Sequence, residues 1–116
     1  MNRDDLEDLS CGLYHRRTQL MRNKSHDYAD EDVLSNFKRL AEICKVWGID
    51  VTQPSGCAEY LAILKLDRYF NLKAQGKTPA NESIQDTFQD LANYLDLLHA
   101  ILHEQSALAK LEDIEK

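Results

Sequence analysis

Glycine and proline are scarce, with four and two among 116 residues. So few helix breakers exclude a collagen-like or loop-dominated chain. Cysteine is nearly as sparse. Cys11, Cys44 and Cys57 form an odd set with no Cys-x-x-Cys spacing, which fits neither a disulfide framework nor a zinc ribbon. Three reduced, mostly buried thiols in a reducing cytoplasm are expected instead. No apolar run approaches the ~20 residues that cross a bilayer. The polar, acidic start MNRDDLEDLS does not have the pattern of a secretory signal. No Gly-rich phosphate loop and no Gly-x-Ser-x-Gly occur. The cysteines have no evident histidine partner, so nucleophilic catalysis has little to work with.

Positive charge is in deficit. Fourteen Lys and Arg face twenty Asp and Glu, for a formal net charge of -6. Such a chain is repelled by phosphate backbones, which argues against general nucleic-acid binding. It does not exclude a small phosphate ligand held by a few clustered cations, or magnesium held by a few carboxylates.

What is present is helical periodicity in a 43% hydrophobic chain. One domain spanning residues 1–116 is expected, folded as an all-α, compact antiparallel bundle of four main helices. The first helix should run from about Asp4 to Lys24, burying Leu6, Leu9, Leu13 and Leu20. A polar loop over Ser25–Asp30 should follow. Asp30 should cap a second helix with Glu31 and Asp32 in its first turn. Val33, Phe37, Leu40, Ala41 and Cys44 would form its inner face, and Gly48 its left-handed end. Ser55 should cap a third helix reaching Gly76. That helix is apolar almost all round, so it should be the most enclosed. Lys77–Ala80 reads as a linker. Asn81 should cap a long fourth helix with Ile84, Phe88, Leu91, Leu95, Leu98 and Leu102 facing the core.

Several polar residues break this pattern. Lys65 and Arg68 sit about 60° apart on one face of the apolar third helix. Either their stems snorkel and their heads pair with nearby acids, or they form an anion pocket in which Arg68 offers phosphate a planar fork. Glu82, Asp86 and Asp90 recur at successive fourth positions, with Asn93 on the same stripe. Such a stripe is either a solvated face or a place where a cation relieves repulsion, and magnesium suits it. Asp90 lies nearest the core flank, beside Tyr94. Glu59 either pairs with a cation or ligates a metal. Lys24-Ser25-His26-Asp27-Tyr28 is equally readable as a functional loop or a polar turn. His99 and His103 have metal-ligand spacing but no third ligand, and read as surface.

Taken together, these residues resemble a known family. Lys24-x-His26-Asp27-Tyr28, Asn36-Phe37, Lys65-x-x-Arg68-x-x-Asn71-Leu72 and Asn81-Glu82-Ser83-Ile84-x-Asp86-x-x-x-Asp90-Leu91-x-Asn93-Tyr94 are similar to the first nucleotide modification associated domain family. That family is seen largely in phages and prophages, and the resemblance covers roughly residues 20 to 102. More distantly it resembles the MazG-type all-α nucleoside triphosphate pyrophosphohydrolases, which hold magnesium through Glu-x-x-Glu and a later Glu-x-x-Asp. Here Lys65-x-x-Arg68 and Asp86-x-x-x-Asp90 stand instead.

The resemblance implies a phage- or prophage-encoded nucleotide-binding domain, with a magnesium-dependent phosphohydrolase or pyrophosphohydrolase as one form. Lys24, Lys65 and Arg68 would hold phosphates. Asp27, Glu59, Glu82, Asp86 and Asp90 would hold Mg2+. Tyr28, Asn71, Asn93 and Tyr94 would contact the nucleotide. A non-catalytic nucleotide-sequestering protein and a helical interaction module are the alternatives. The apolar third and long fourth helices point to a homodimer.

Overall fold

In a computed structural model, residues 1–80 and 82–115 are described, the side chain of residue 115 apart. They form four helices: α1 (Arg3–Tyr28), α2 (Ser35–Trp47), α3 (Pro54–Gln75) and α4 (Ile84–Glu115). Among the described residues there is no strand. The fold is the expected all-α bundle. α3 is its centre and packs on α1, α2 and, most extensively, α4. No helix is long and apolar enough to cross a membrane among the described residues.

α1 starts on a reciprocal capping box between Asn2 and Asp5. It does not stop at Lys24. The expected loop at Ser25–Tyr28 is the last turn of α1, because tertiary partners hold it there. The Asn71 side-chain amide donates to the carbonyls of Asp27 and Ala29 at 2.9 and 3.3 Å. Lys77 Nζ donates to the carbonyls of His26 and Ala29. Irregular backbone comes later, at Asp30–Leu34. There Asp30 accepts from the Asp32 N–H, Asp32 accepts from the Leu34 N–H, and Ser35 Oγ accepts from the Asp30 N–H. These local bonds compete with helix, so α2 starts at Ser35 rather than after Asp30, and Glu31 and Asp32 precede it.

Gly48 and Gly76 end α2 and α3 with φ of 66° and 62°, the left-handed geometry that glycine adopts without a Cβ penalty. Pro54, not Ser55, starts α3; Gln53 precedes it, and Ser55 lies in its first turn. Ser83 Oγ accepts from the Asp86 N–H at the start of α4. The expected cap Asn81 lies outside the described residues.

The apolar expectations divide. Leu40, Ala58, Ala62 and Leu72 are buried. Leu6, Leu9, Leu13, Leu20, Val33, Phe37, Phe70, Phe88, Leu95 and Leu102 are exposed, although their spacing reads as core. Cys11 and Cys57 are exposed and Cys44 is half-buried, which corrects the expectation of mostly buried thiols. The cause is shape. The chain extends 68 × 43 × 26 Å with a radius of gyration of 19.6 Å, against about 13 Å for a compact domain of 100 residues. α1 before Asn23 and α4 beyond Ile101 run past the packed centre, and nearly every residue of both stretches is exposed.

Candidate functional site

Three chain segments meet around α3. The end of α1 supplies Asp27 and Tyr28, α3 supplies Lys65, Arg68 and Asn71, and Glu82 just before α4 joins Thr87 and Asp90 from its first turns. The sequence puts Arg68 on the most apolar helix, where a guanidinium must find partners. It finds them all. Arg68 Nη2 and Nε donate to Asp27 Oδ2 at 2.6 and 3.1 Å. Nη1 donates to Thr87 Oγ1, and Nη2 also donates to the Glu82 carbonyl. Both side chains of the Arg68–Asp27 pair are 0% exposed. The other Asp27 oxygen accepts from the Ala80 N–H at 2.7 Å. One ion pair thus fastens α1, α3, the 77–80 connection and the head of α4.

Lys65 lies one turn earlier on the same face and nearer to water. Its ammonium contacts Glu82 Oε1 at 2.9 Å and Asp90 Oδ2 at 3.0 Å, with the lysine side chain 13% exposed. Burial alone would lower the Lys65 pKa. The hydrogen bonds to Glu82 and Asp90 overcome this and hold it above the ordinary lysine range. Burial also raises the neighbouring Tyr28 phenol, while the Lys65 charge pulls against that rise.

Both shifts favour the protonated form in the fold. Their stabilising contribution is therefore complete below the ordinary values of 10.0 for tyrosine and 10.5 for lysine, and is lost as pH rises above them. Urea unfolding midpoints should be level from about pH 8 to 9.5 and fall above about pH 10. Tyr28→Phe should make that fall shallower. An equal slope in the variant would show that Tyr28 does not contribute.

Of the residues expected to hold phosphate, Lys65 and Arg68 share this site, while Lys24 is exposed on α1. The fully buried Arg68 fork is occupied by protein acceptors, so in this arrangement it presents no face to a ligand. Of the expected carboxylates, Asp27, Glu82 and Asp90 converge on the two cations. Asp86 is exposed, and Glu59 is half-buried on the early part of α3. Among the described residues, no group of three or more His, Cys, Asp or Glu is arranged to hold a metal. Asn71 is buried and supports the backbone at Asp27 and Ala29. Tyr94 is half-buried and Asn93 exposed. An open depression of about 450 Å³ beside the cluster is lined by Pro79, Ala80, Glu82, Ser83 and Ile84.

Three participants escaped the sequence reading. Thr87 is buried between Arg68 and Glu82, yet as a lone threonine among acids it reads as surface. Asp67 takes both Arg39 Nε and Nη2, at 2.8 and 3.1 Å, and Arg39 also donates to the Tyr28 carbonyl. The available signal was Asp67 itself, an acid within an apolar helix and next to the conspicuous Arg68.

No family model, curated protein or solved structure matches this chain.

Proposed function

We propose that this chain binds a magnesium–nucleotide at the edge of the polar cluster, with Lys65, Glu82 and Asp90 as the working residues. One observation carries the reading: Glu82 and Asp90 aim oxygens at one point, now held by the Lys65 ammonium. Two carboxylates are hard donors, and together with phosphate oxygens they are the usual protein contribution to a magnesium–nucleotide site. The residues fit that metal at Glu82 and Asp90; Asp27 is committed to Arg68, and Asp86 and Glu59 stand outside the cluster. Magnesium, when bound, would neutralise charge on the phosphates and polarise them. Lys65, released from its carboxylates, would then pair with a phosphate as a mobile point charge. Tyr28 lies close enough for its phenol to feel the charges of Lys65 and Glu82, and is the aromatic ring we assign to the nucleotide.

The same residues carry the resemblance to the phage nucleotide modification associated family, and a cytoplasmic, phage- or prophage-encoded role accords with it. Hydrolysis is the bolder form of the proposal. Retention without turnover is favoured by the internal pairing. A metal has to displace an ammonium to enter, and among the described residues no buried side-chain nitrogen or oxygen lacks a partner. The proposed activity is therefore binding first, with phosphate or pyrophosphate release as its extension.

Thermal shift and calorimetry with a nucleotide panel, with and without magnesium, test this. A ligand that binds the folded state raises the melting temperature by mass action. Lys65→Met should weaken binding roughly 10- to 100-fold, the range of a charge-assisted hydrogen bond. Asp90→Asn should abolish the dependence on magnesium. No response to any nucleotide at millimolar concentration would sink the reading and leave a helical interaction module. Detection of released phosphate or pyrophosphate separates an enzyme from a sequestering protein.

A further inference from the structure

Among the described residues, the N-terminal stretch of α1 has no protein surface to lie on. Its residues before Asn23 are exposed except for partial cover at Gly12 and Thr18. An unsupported helix of this length is marginal in water, because most helical stability in proteins comes from packing an apolar face. Such a face exists. Leu6, Leu9, Leu13 and Leu20 fall within about 60° of arc at 100° per residue, and are 53, 44, 40 and 47% exposed.

The charges along this helix say what covers that face. Asp4, Asp5, Glu7 and Asp8 crowd one end, opposed there only by Arg3. Arg16, Arg17, Arg22 and Lys24 occupy the other, and no acid lies between Leu9 and Lys24. Leu6 and Leu20 stand one heptad either side of Leu13, so the leucines and the two charge blocks share a midpoint. A copy laid antiparallel about Leu13 puts each acidic end against a basic stretch, Leu6 against Leu20 and Leu13 against Leu13. A parallel copy puts like charges together, which is unfavourable.

We propose that α1 is the dimerisation helix, pairing antiparallel with α1 of a second copy about an axis near Leu13. The arrangement is isologous: the same surface serves both chains and closes on itself. It is independent of the nucleotide reading, since the polar cluster uses only the last turn of α1.

Light scattering of the full chain at about 100 µM, the upper part of the usual assay range for weak dimers, should give twice the 13.4 kDa chain mass. Leu9→Glu with Leu13→Glu should return it to one chain mass. These positions lie away from the packed centre, so urea unfolding of the body should persist and show that the variant folds. Orientation is read by crosslinking in a Cys11→Ser, Cys57→Ser background. Leu13→Cys should form an interchain disulfide with itself. Leu6→Cys and Leu20→Cys should each fail alone and crosslink when mixed. A monomer at that concentration, a dimer indifferent to the two glutamates, or self-crosslinking of Leu6→Cys would each overturn the proposal.

Discussion

Arg68→Leu is expected to destabilise the chain by about 3–5 kcal/mol, the range for removing one partner of a buried ion pair. The magnitude comes from what is left behind. Asp27 is 0% exposed, so its buried carboxylate would face an apolar side chain in place of the guanidinium that donates to it from Nη2 and Nε. Thr87 Oγ1 and the Glu82 carbonyl would lose the donor they share. A domain of this length is typically stable by only about 6–17 kcal/mol, so roughly a fifth of the total is at stake at the upper end of that range and half or more at the lower. Urea denaturation with an unchanged slope would report the loss cleanly.

Two companions make the interpretation specific. Arg68→Lys keeps the charge but replaces a five-donor fork by a single ammonium, and should fall between wild type and Arg68→Leu. Asp27→Leu with Arg68→Leu removes both charges, so the double variant should lose about 2 kcal/mol less than the two singles combined. Additive effects would mean that the pair is not the unit holding α1 to α3 and α4. A loss below about 1 kcal/mol for Arg68→Leu would remove it as a stabilising element.

This pair also shows where sequence reasoning reaches and where it stops. Lys65 and Arg68 stand out at once, because charge in an apolar helix demands an explanation. Lys65 and Asp90 could be matched from spacing, since the acidic stripe and the central helix are neighbours in any bundle. Asp27 could not be matched in the same way. It precedes Arg68 by 41 residues, and it sits where local propensity reads a polar loop. Only the partners on α3 and at residues 77–80 turn that loop into helix.

The leucines of α1 fail for a complementary reason. Periodicity identifies an amphipathic face, but burial needs a surface to cover it, and the described residues place none there. The glycine ends of α2 and α3 were legible because a left-handed helix end is a local property. The candidate site was half legible: its cations and two of its acids are visible in the pattern, whereas Thr87 and the Arg39–Asp67 pair depend on packing that no short window contains.

Close packing of that kind supports the second large expected effect, a loss of about 2–3 kcal/mol in Gly56→Ala. Gly56 is buried in the first turn of α3, and a Cβ there would run into the backbone carbonyl of Asp50. A flexible side chain could swing aside, but this neighbour is fixed on several sides. The Asp50 carbonyl accepts from the Gln53 N–H at 3.1 Å. The Asp50 carboxylate accepts from Thr52 N–H and Thr52 Oγ1 at 2.9 and 2.6 Å, and these bonds hold its pKa below the ordinary aspartate value. Cys57 Sγ donates to the Val51 carbonyl at 3.0 Å. Moving Asp50 therefore disturbs the whole turn that delivers the chain into α3.

Alanine in a helix interior would by itself add roughly 0.5–1 kcal/mol over glycine, so the clash must exceed that gain to be seen. Gly12 supplies the control. It lies mid-helix in α1 with nothing near its missing Cβ, and Gly12→Ala should raise stability where Gly56→Ala lowers it. Thermal unfolding of the two variants decides the matter by sign. If Gly56→Ala is neutral or stabilising, the approach of α3 to the Asp50 turn is looser than described. The placement of Lys65 and Arg68 along α3 would then rest on the ion pairs alone.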